Sequence, residues 1–337
     1  MVSNATQESV KSILRRCFPP ENKLNILTFC THERYEQNLC MTGHEFYSIK
    51  HGKTWNKDYG VVPKNYHEIV EVPTHINFDL ILSHTSCERI AIAKELQSIY
   101  NIPIIRHTHV LPDIRFDIPN QVQSFNRIPV DHDSFISRYN MGAWGKHESA
   151  NCTFVEHGID TEFWDKGIEK DRDDVCLSVV NDWPNRDWCC GWNLWNEIVS
   201  GGDSQLPVRV LGDSPGFSKP AETTEALRDA YKSSSIFLNT SIHSPVPTVL
   251  MEAMACGCAI VSTNNCMIPE IITHGENGLL ANSADEPREH CLYLLHNPDE
   301  ARKLGENAKA TIQDTFSLKR FTNSWNELFT TVIQNYR

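Results

Sequence analysis

The sequence predicts an α/β protein of two domains, each a mostly parallel sheet flanked by helices. Three observations carry that expectation. Short apolar runs alternate with amphipathic stretches, the same rhythm recurs in the second half, and one charged segment interrupts it between the halves. A chain of 337 residues is long enough for two domains of ordinary size.

In the first half, residues 24–28 (LNILT) and 78–82 (FDLIL) read as buried strands. Residues 87–100 place Ile90, Ile92, Ala93, Leu96 and Ile99 on one helical face, Asn101 ends the helix, and residues 102–105 (IPII) begin the next strand. In the second half, strands are expected at 175–180, 208–211, 236–238 and 259–261. Helices are expected near 189–200, 223–233 and 247–256, then at 287–296, 298–313 and 318–334. The break is residues 165–174 (DKGIEKDRDD), which come after a strand-like 152–155. The expected division is therefore 1–168, 169–317 and a C-terminal helix over 318–337. Ligands of open α/β sheets bind at the carboxyl ends of the strands, so a site is expected in the cleft between the two sheets.

Composition narrows the function. With 43 acidic and 31 basic residues, the net charge of −12 argues against an extended basic surface for nucleic acid or anionic lipid. It leaves room for an anionic small ligand, which a few local donors can hold. No apolar run is long enough to span a membrane, and residues 1–18 lack a signal-type apolar stretch, so a soluble, cytoplasmic protein is expected. The twelve cysteines are then expected to be reduced. Cys189-Cys190 and Cys256-x-Cys258 have no zinc-ribbon spacing and read as small buried residues.

Residues 241–280 are the most informative stretch. A strand ends in a polar loop, and Pro247 and Thr248 open a helix, where a missing proline N–H costs nothing. The helix is apolar at Val249, Leu250, Met251, Ala253, Met254 and Ala255, and Gly257 closes it. One charge lies inside it, Glu252, and a buried carboxylate needs donors. Two readings stand on the physics alone. Glu252 either caps backbone amides as a structural group, or accepts two ribose hydroxyls while the free amides of the helix start face a diphosphate.

Glu252-Ala253-Met254-Ala255-Cys256-Gly257 resembles the second half of the donor-binding signature of the retaining glycosyltransferases of family 4, which have the GT-B fold. Residues 268–272 (IPEII) and 275–280 (GENGLL) resemble the segments downstream of that signature in the family. The resemblance implies two Rossmann-like domains facing across a cleft, with a C-terminal helix able to return to the N-terminal domain. It implies transfer of a sugar from a UDP- or GDP-sugar, a substrate rather than a tightly bound cofactor, to a hydroxyl acceptor with retention of configuration. No metal is implied, because protein donors neutralise the leaving group. Glu252 then holds the ribose, Thr248 and Val249 belong to the helix start, and Gly212 lines the nucleotide. Asn181 and Arg186 occupy the slots of the family's diphosphate-binding arginine and lysine. Arg186 also has a plain reading as a salt-bridge partner of Asp182 or Asp187.

The same resemblance implies catalytic roles. Ser244 stands where the family has its first signature glutamate, which contacts the transferred sugar. Glu270 lines the donor sugar. His109, with His107 as second choice, matches a histidine at a strand end facing that sugar; a satisfied surface histidine is the alternative. Residues 155–163 resemble the family's segment closing the first domain, with His157 in place of asparagine, and read as a fold marker. Thr31, His32 and Arg34 come just after the first strand and can meet acceptor or phosphate, or Thr31 can cap a helix. Asp131-x-Asp133 is the spacing of a divalent-metal pair, but it suits a different fold.

The sequence also departs from the family. Ser244 is uncharged, Pro245 and Pro247 lack N–H donors, and Cys266-Met267 replace paired glycines. These changes keep two other readings open. One is an epimerase or hydrolase of sugar nucleotides, and the other a binding protein that has lost catalysis. A hydroxylated DNA base is a minority acceptor, disfavoured by the acidic balance.

Overall fold

A computed structural model describes residues 23–51, 53–57, 60–84, 87–167, 171–202 and 205–336. The N-terminal stretch read above for export signals, and the expected boundary between 168 and 169, lie outside the described residues.

The first sheet has seven strands in the order β3-β2-β1-β4-β5-β6-β7. They are β1 (Asn25–Thr28), β2 (Glu45–Ile49), β3 (Tyr66–Ile69), β4 (Leu80–His84), β5 (Ile104–Thr108), β6 (His132–Phe135) and β7 (Cys152–Phe154). The second has five, in the order β12-β11-β10-β8-β9. These are β8 (Asp173–Val179), β9 (Val208–Leu211), β10 (Ser234–Asn239), β11 (Ala259–Thr263) and β12 (Leu279–Ala281). The pairings β1–β2, β1–β4, β8–β9, β8–β10, β10–β11 and β11–β12 are all parallel. The protein is thus an α/β fold with two parallel-sheet, Rossmann-like domains. No described helix is long and apolar enough to cross a membrane.

Helices fill the intervals between strands. In the first half they are α1 (Glu33–Cys40), α2 (Cys87–Tyr100), α3 (Ile118–Asn126), α4 (Arg138–Ala143) and α5 (Thr161–Asp165). In the second they are α6 (Asp187–Cys190), α7 (Trp192–Ser200), α8 (Thr224–Ser233), α9 (Thr248–Ala255) and α10 (Ile268–Ile271). The chain then closes with α11 (Glu286–His296), α12 (Pro298–Thr315) and α13 (Leu318–Tyr336).

The chain divides into two compact units, and the division falls within β5. One holds the described residues through Arg106 together with those from Asn326 onward; the other is His107–Trp325. Helix α13 crosses that division, so its final turns belong with the first unit, as a returning helix requires. There Phe329 packs edge-on against His44, and the Tyr336 hydroxyl bonds Asn101 Oδ1 at 3.4 Å.

The elements form where apolar spacing predicts. Helix α2 and strand β9 have the expected limits. Along the second sheet, alternate residues serve opposite cores. Leu177, Phe237, Ile260 and Leu280 pack on one face; Cys176, Ile236, Leu238 and Val261 pack on the other. A sheet covered on both faces needs near-continuous apolar strands, which is what the sequence shows.

Two expectations are adjusted. Strand 102–105 lies two residues later, as β5, because Pro103 has no N–H to donate to a ladder. The helix expected over 189–200 is two helices, α6 and α7. Gly191 separates them with φ of +65°, and a Cβ there would lie 2.1 Å from the Thr240 carbonyl oxygen. Only glycine allows both the left-handed turn and that approach.

Candidate functional site

In the second sheet the chain steps from β8 outward to β9, then crosses back to β10 on the other side of β8. Such a reversal opens a crevice at the carboxyl ends of the strands flanking it. Three segments there are tied together within the second unit: 181–186 after β8, 212–218 after β9 and 240–247 after β10.

Gly212 makes the first junction possible. It has φ of +120°, and a Cβ would sit 2.1 Å from the Val180 carbonyl oxygen. The two loops lie against each other through Asp213 N–H to Asn181 Oδ1 at 2.8 Å and Trp183 N–H to Ser214 Oγ at 3.0 Å. The second junction uses the short helix α6 as a bracket. The Cys189 carbonyl accepts from Ile242 N–H at 2.9 Å and His243 N–H at 3.1 Å. The Cys190 carbonyl accepts from Thr240 Oγ1 and from Trp183 Nε1, both at 3.0 Å. Buried Trp183, Trp195 and the half-buried Trp192 form the apolar block beneath.

Helix α9 leaves this loop. Its N-cap residue is Pro247, and no side chain caps it. Thr248 is exposed, Val249 half-buried, and the rest of the helix buried. Its first amides therefore lack the side-chain oxygen that usually satisfies one of them. Glu252 lies one turn in, and is 3% exposed. The Tyr231 hydroxyl, from the end of α8, donates to Glu252 Oε2 at 3.2 Å. Tyr231 in turn rests edge-on against Trp164 and Phe237. Glu252 is thus a buried acid met by a neutral hydroxyl. A carboxylate can accept more than one hydrogen bond on each oxygen. Ser244, in the loop leading to α9, is half-buried.

Arg186 ends a 3-10 turn (Pro184–Arg186) and is exposed. Its guanidinium reaches the Asn181 carbonyl at 3.4 Å. The acids expected as its structural partners are engaged elsewhere. Asp182 accepts from Asn185 Nδ2 at 2.7 Å, and Asp187 takes Asn193 N–H and Nδ2 at 2.8 and 2.7 Å. Among the described residues Arg186 has no ion pair.

Glu270, on α10, is exposed, but its carboxylate is engaged. It accepts Arg138 N–H at 3.1 Å and Tyr139 N–H at 2.6 Å, at the start of α4. A carboxylate on free helix amides stabilises by roughly 0.5–2 kcal/mol.

His109 is half-buried just past β5. Its ring meets His107 edge-on at 4.4 Å and stacks near His157 at 6.4 Å. His107 is fully buried, with Nδ1 3.1 Å from Ser134 Oγ. His157 is held in place from the chain end. Arg320 donates to Glu156 Oε2 at 2.8 Å and to the carbonyls of Glu156 and His157 at 3.0 and 3.1 Å. Among the described residues no three His, Cys, Asp or Glu side chains converge as a metal-binding group. Within the Asp-x-Asp pair, Asp133 forms an ion pair with Lys146 at 2.8 Å.

The carboxyl ends of β1 and β4, in the first unit, carry a second polar group. Glu33 is buried, and accepts from Lys53 Nζ and Asn56 N–H, both at 3.0 Å. Glu36 is fully buried, and takes Thr31 N–H at 3.2 Å and Oγ1 at 3.0 Å. Thr31 is therefore not the helix cap. His32 precedes α1, without a side-chain cap bond. His84 Nε2 lies 3.4 Å from Glu36 Oε1. Burial pushes the Glu36 carboxyl up to about 7 and His84 down to about 3.

The structure thus gathers Asn181, Arg186 and Gly212 through one set of loops, and leads Ser244 into the helix start with Thr248, Val249 and Glu252. Sequence reading did not find Tyr231, twenty-one residues before its partner Glu252, because nothing local in the sequence marks that pairing. Nor did it find the bracket formed by α6, which looks like any short apolar helix.

Residues 213–311 match the family profile "Glycosyl transferases group 1". Among curated proteins, the chain is 29% identical over 89 residues to N-acetyl-α-D-glucosaminyl L-malate synthase of Bacillus anthracis, covering 26% of this chain and 23% of that one. The chain spans about a quarter of the length of the curated relatives it matches. Among solved structures, HepE of Anabaena in complex with UDP superposes with a TM-score of 0.74 at 13% identity, over 92% of this chain and 100% of that chain. Its complex with UDP-glucose gives 0.72 at 14%, over 91% and 100%. The fold is GT-B.

Proposed function

We propose that this protein is a retaining glycosyltransferase of family 4 that takes a nucleoside diphosphate sugar, with UDP-sugars first among donors. One observation carries the reading. An uncapped helix start, at the crevice of a doubly wound sheet, is followed one turn later by a buried carboxylate that a tyrosine hydroxyl contacts. Free amides at a helix start suit phosphate, and a carboxylate, which accepts several hydrogen bonds, suits the paired hydroxyls of a ribose. The family match over 213–311 and the neighbours solved with UDP and UDP-glucose support the same ligand.

In this reading Glu252 fixes the ribose. Thr248, Val249 and Gly212 line the nucleotide, and Asn181 and Arg186 stand at the diphosphate. As the bond from the anomeric carbon to the leaving phosphate lengthens, negative charge grows on the diphosphate. Arg186 and the α9 amides stabilise that charge at fixed positions, which is the largest effect available to a site without covalent chemistry. Ser244 and His109 face the transferred sugar. Glu270 contributes there only if its carboxylate leaves the α4 amides; otherwise it acts by holding α4 in place. The acceptor hydroxyl attacks from the side the leaving group vacates, which retains configuration. The functional division proposed is 1–168 and 169–317, with a C-terminal helix from 318.

A second reading is favoured by one feature. Ser244 brings no charge where the resemblance expects a glutamate, and Pro245 and Pro247 remove two amide donors. A protein that binds a sugar nucleotide without transferring it fits those losses. The test is incubation with UDP-, GDP- and ADP-sugars, with and without a panel of hydroxyl acceptors, monitoring nucleoside diphosphate release and the anomeric proton of any product by NMR. Acceptor-dependent release with a retained anomer is the expected result. Binding without release in every combination selects the second reading, and release of free sugar without acceptor selects hydrolysis.

A further inference from the structure

Helix α6 ends in two adjacent cysteines, and Cys189 Sγ bonds the Arg186 carbonyl at 3.4 Å. Both are buried, at 5% and 8% exposure, and their Sγ atoms are 3.5 Å apart. A disulfide needs about 2.05 Å between sulfurs and usually about 4.4–6.8 Å between Cα atoms, and neighbours on a trans peptide are only about 3.8 Å apart, so closure has to turn the 189–190 backbone out of its helical form. The carbonyls of these same two residues hold Thr240, Ile242 and His243 of the loop that enters α9, and the Trp183 indole of the loop that carries Arg186. The next residue, Gly191, is seated on the Thr240 carbonyl and has no room to absorb a shift.

We propose that Cys189 and Cys190 form a peroxide-sensitive dithiol, and that its closure to a disulfide reshapes the bracket between the Arg186 loop and the 240–247 loop. The consequence for donor affinity rests on the function proposed above; the closure itself does not. Cys189 is the attacking group. The Cys190 sulfur lies within hydrogen-bond reach, and Arg186 and Arg115 lie near, which together draw the Cys189 thiol down against partial burial. Hydrogen peroxide is small enough for a nearly covered site.

The chemistry closes without further reagents. The Cys189 thiolate attacks one peroxide oxygen, the O–O bond breaks, and the hydroxide released takes a proton to leave as water, giving a sulfenic acid. Cys190 then loses its proton, its sulfur attacks Cys189 Sγ, the S–O bond breaks, and a second water departs. Two thiols are oxidised by two electrons, and one peroxide is reduced to two waters. A thiol reductant reverses the bond. Nine of the described cysteines are buried, and Cys189 and Cys190 are the pair adjacent in sequence.

The full chain is treated with hydrogen peroxide, alkylated, digested and mapped by mass spectrometry, alongside Cys189→Ser and Cys190→Ser. In parallel, tryptophan emission and UDP affinity are measured before oxidation, after it, and after dithiothreitol. The expected result is a 189–190 peptide that is two hydrogens lighter and resists alkylation until reduced. Tryptophan emission shifts reversibly, and the UDP Kd rises about tenfold, the scale of one or two lost hydrogen bonds. Neither variant forms the bond or shows the shift. Full alkylation of both cysteines after peroxide overturns the proposal, as does a disulfide that leaves the emission unchanged. A reduced protein that does not bind UDP sinks the donor reading alone, since mass and emission still decide closure.

Discussion

The carboxyl ends of the two sheets handle charge in opposite ways. At the end of β1, in the first unit, the acids meet their own neighbours: Glu33 meets Lys53 and an amide, and Glu36 takes the amide and hydroxyl of Thr31 on Oε1 while its buried Oε2 has no hydrogen-bond partner. At the end of the second sheet the open groups are positive. Arg186 is exposed and has no ion pair among the described residues, and the start of α9 has no side-chain cap. A group satisfied from within the chain gains little from a ligand. A group left open must be answered by water or by a ligand, and binding energy comes from that exchange. The difference makes the second region, with its exposed guanidinium and uncapped helix start, the one suited to the anionic ligand proposed above.

The comparison breaks most readily at Glu252. Glu252→Ala is expected to weaken UDP binding by at least about a hundredfold, the scale of a charged acceptor removed from two hydroxyls. Isothermal calorimetry measures it, and a Kd within about threefold of the parent would remove Glu252 from the site. Gly212→Ala puts a methyl group onto the Val180 carbonyl. It should cost more than about 2 kcal/mol of stability in urea unfolding, together with most UDP affinity, because the site rests on that junction.

Arg186→Ala sharpens the contrast. UDP affinity should fall about tenfold while uridine affinity stays within about twofold, since a guanidinium at a diphosphate acts only on the phosphates. Equal losses for both ligands would move Arg186 away from the phosphates. Glu270→Gln should lower stability by roughly 1 kcal/mol by weakening its hold on the α4 amides. A change in turnover larger than that stability loss explains would give Glu270 a direct role at the sugar.

The last prediction tests the first region. Glu36 is raised to about 7 in the folded protein, so its contribution to stability is present below its ordinary 4.5 and is lost as pH rises through 7. His84 is depressed to about 3, so its contribution is present above its ordinary 6.5 and is lost as pH falls toward 3. Between 4.5 and 6.5 the two slopes oppose each other and stability is flat. Glu36→Gln should turn that plateau into a rise with pH and remove the loss near 7. Urea midpoints from about pH 4 to about pH 8 decide it, and an unchanged profile would mean that Glu36 is not the titrating group.

Much of this was legible in the chain. The limits of α2 and β9 are set by apolar spacing and by Asn101 and Gly212, because local backbone chemistry fixes where helices and strands stop. Glu252 was legible as an anomaly, one carboxylate in an apolar helix. The turn at Gly191 was not, since a glycine inside a helical pattern carries no local sign that a carbonyl from the loop after β10 lies against it.

The sequence by itself determined the alternation of strands and helices, the apolar faces that make two parallel sheets, and the chemical type of the residues around α9. Those depend on neighbours three, four or two positions apart. The tertiary structure decided which of those residues meet. Tyr231 reaches Glu252, Glu270 is spent on the α4 amides, and Cys189 and Cys190 stand beneath two loops at once. The pairings of Tyr231 with Glu252, Arg138 with Glu270 and Cys190 with Thr240 join segments 21, 132 and 50 residues apart, and only the packing of one element on another sets such distances.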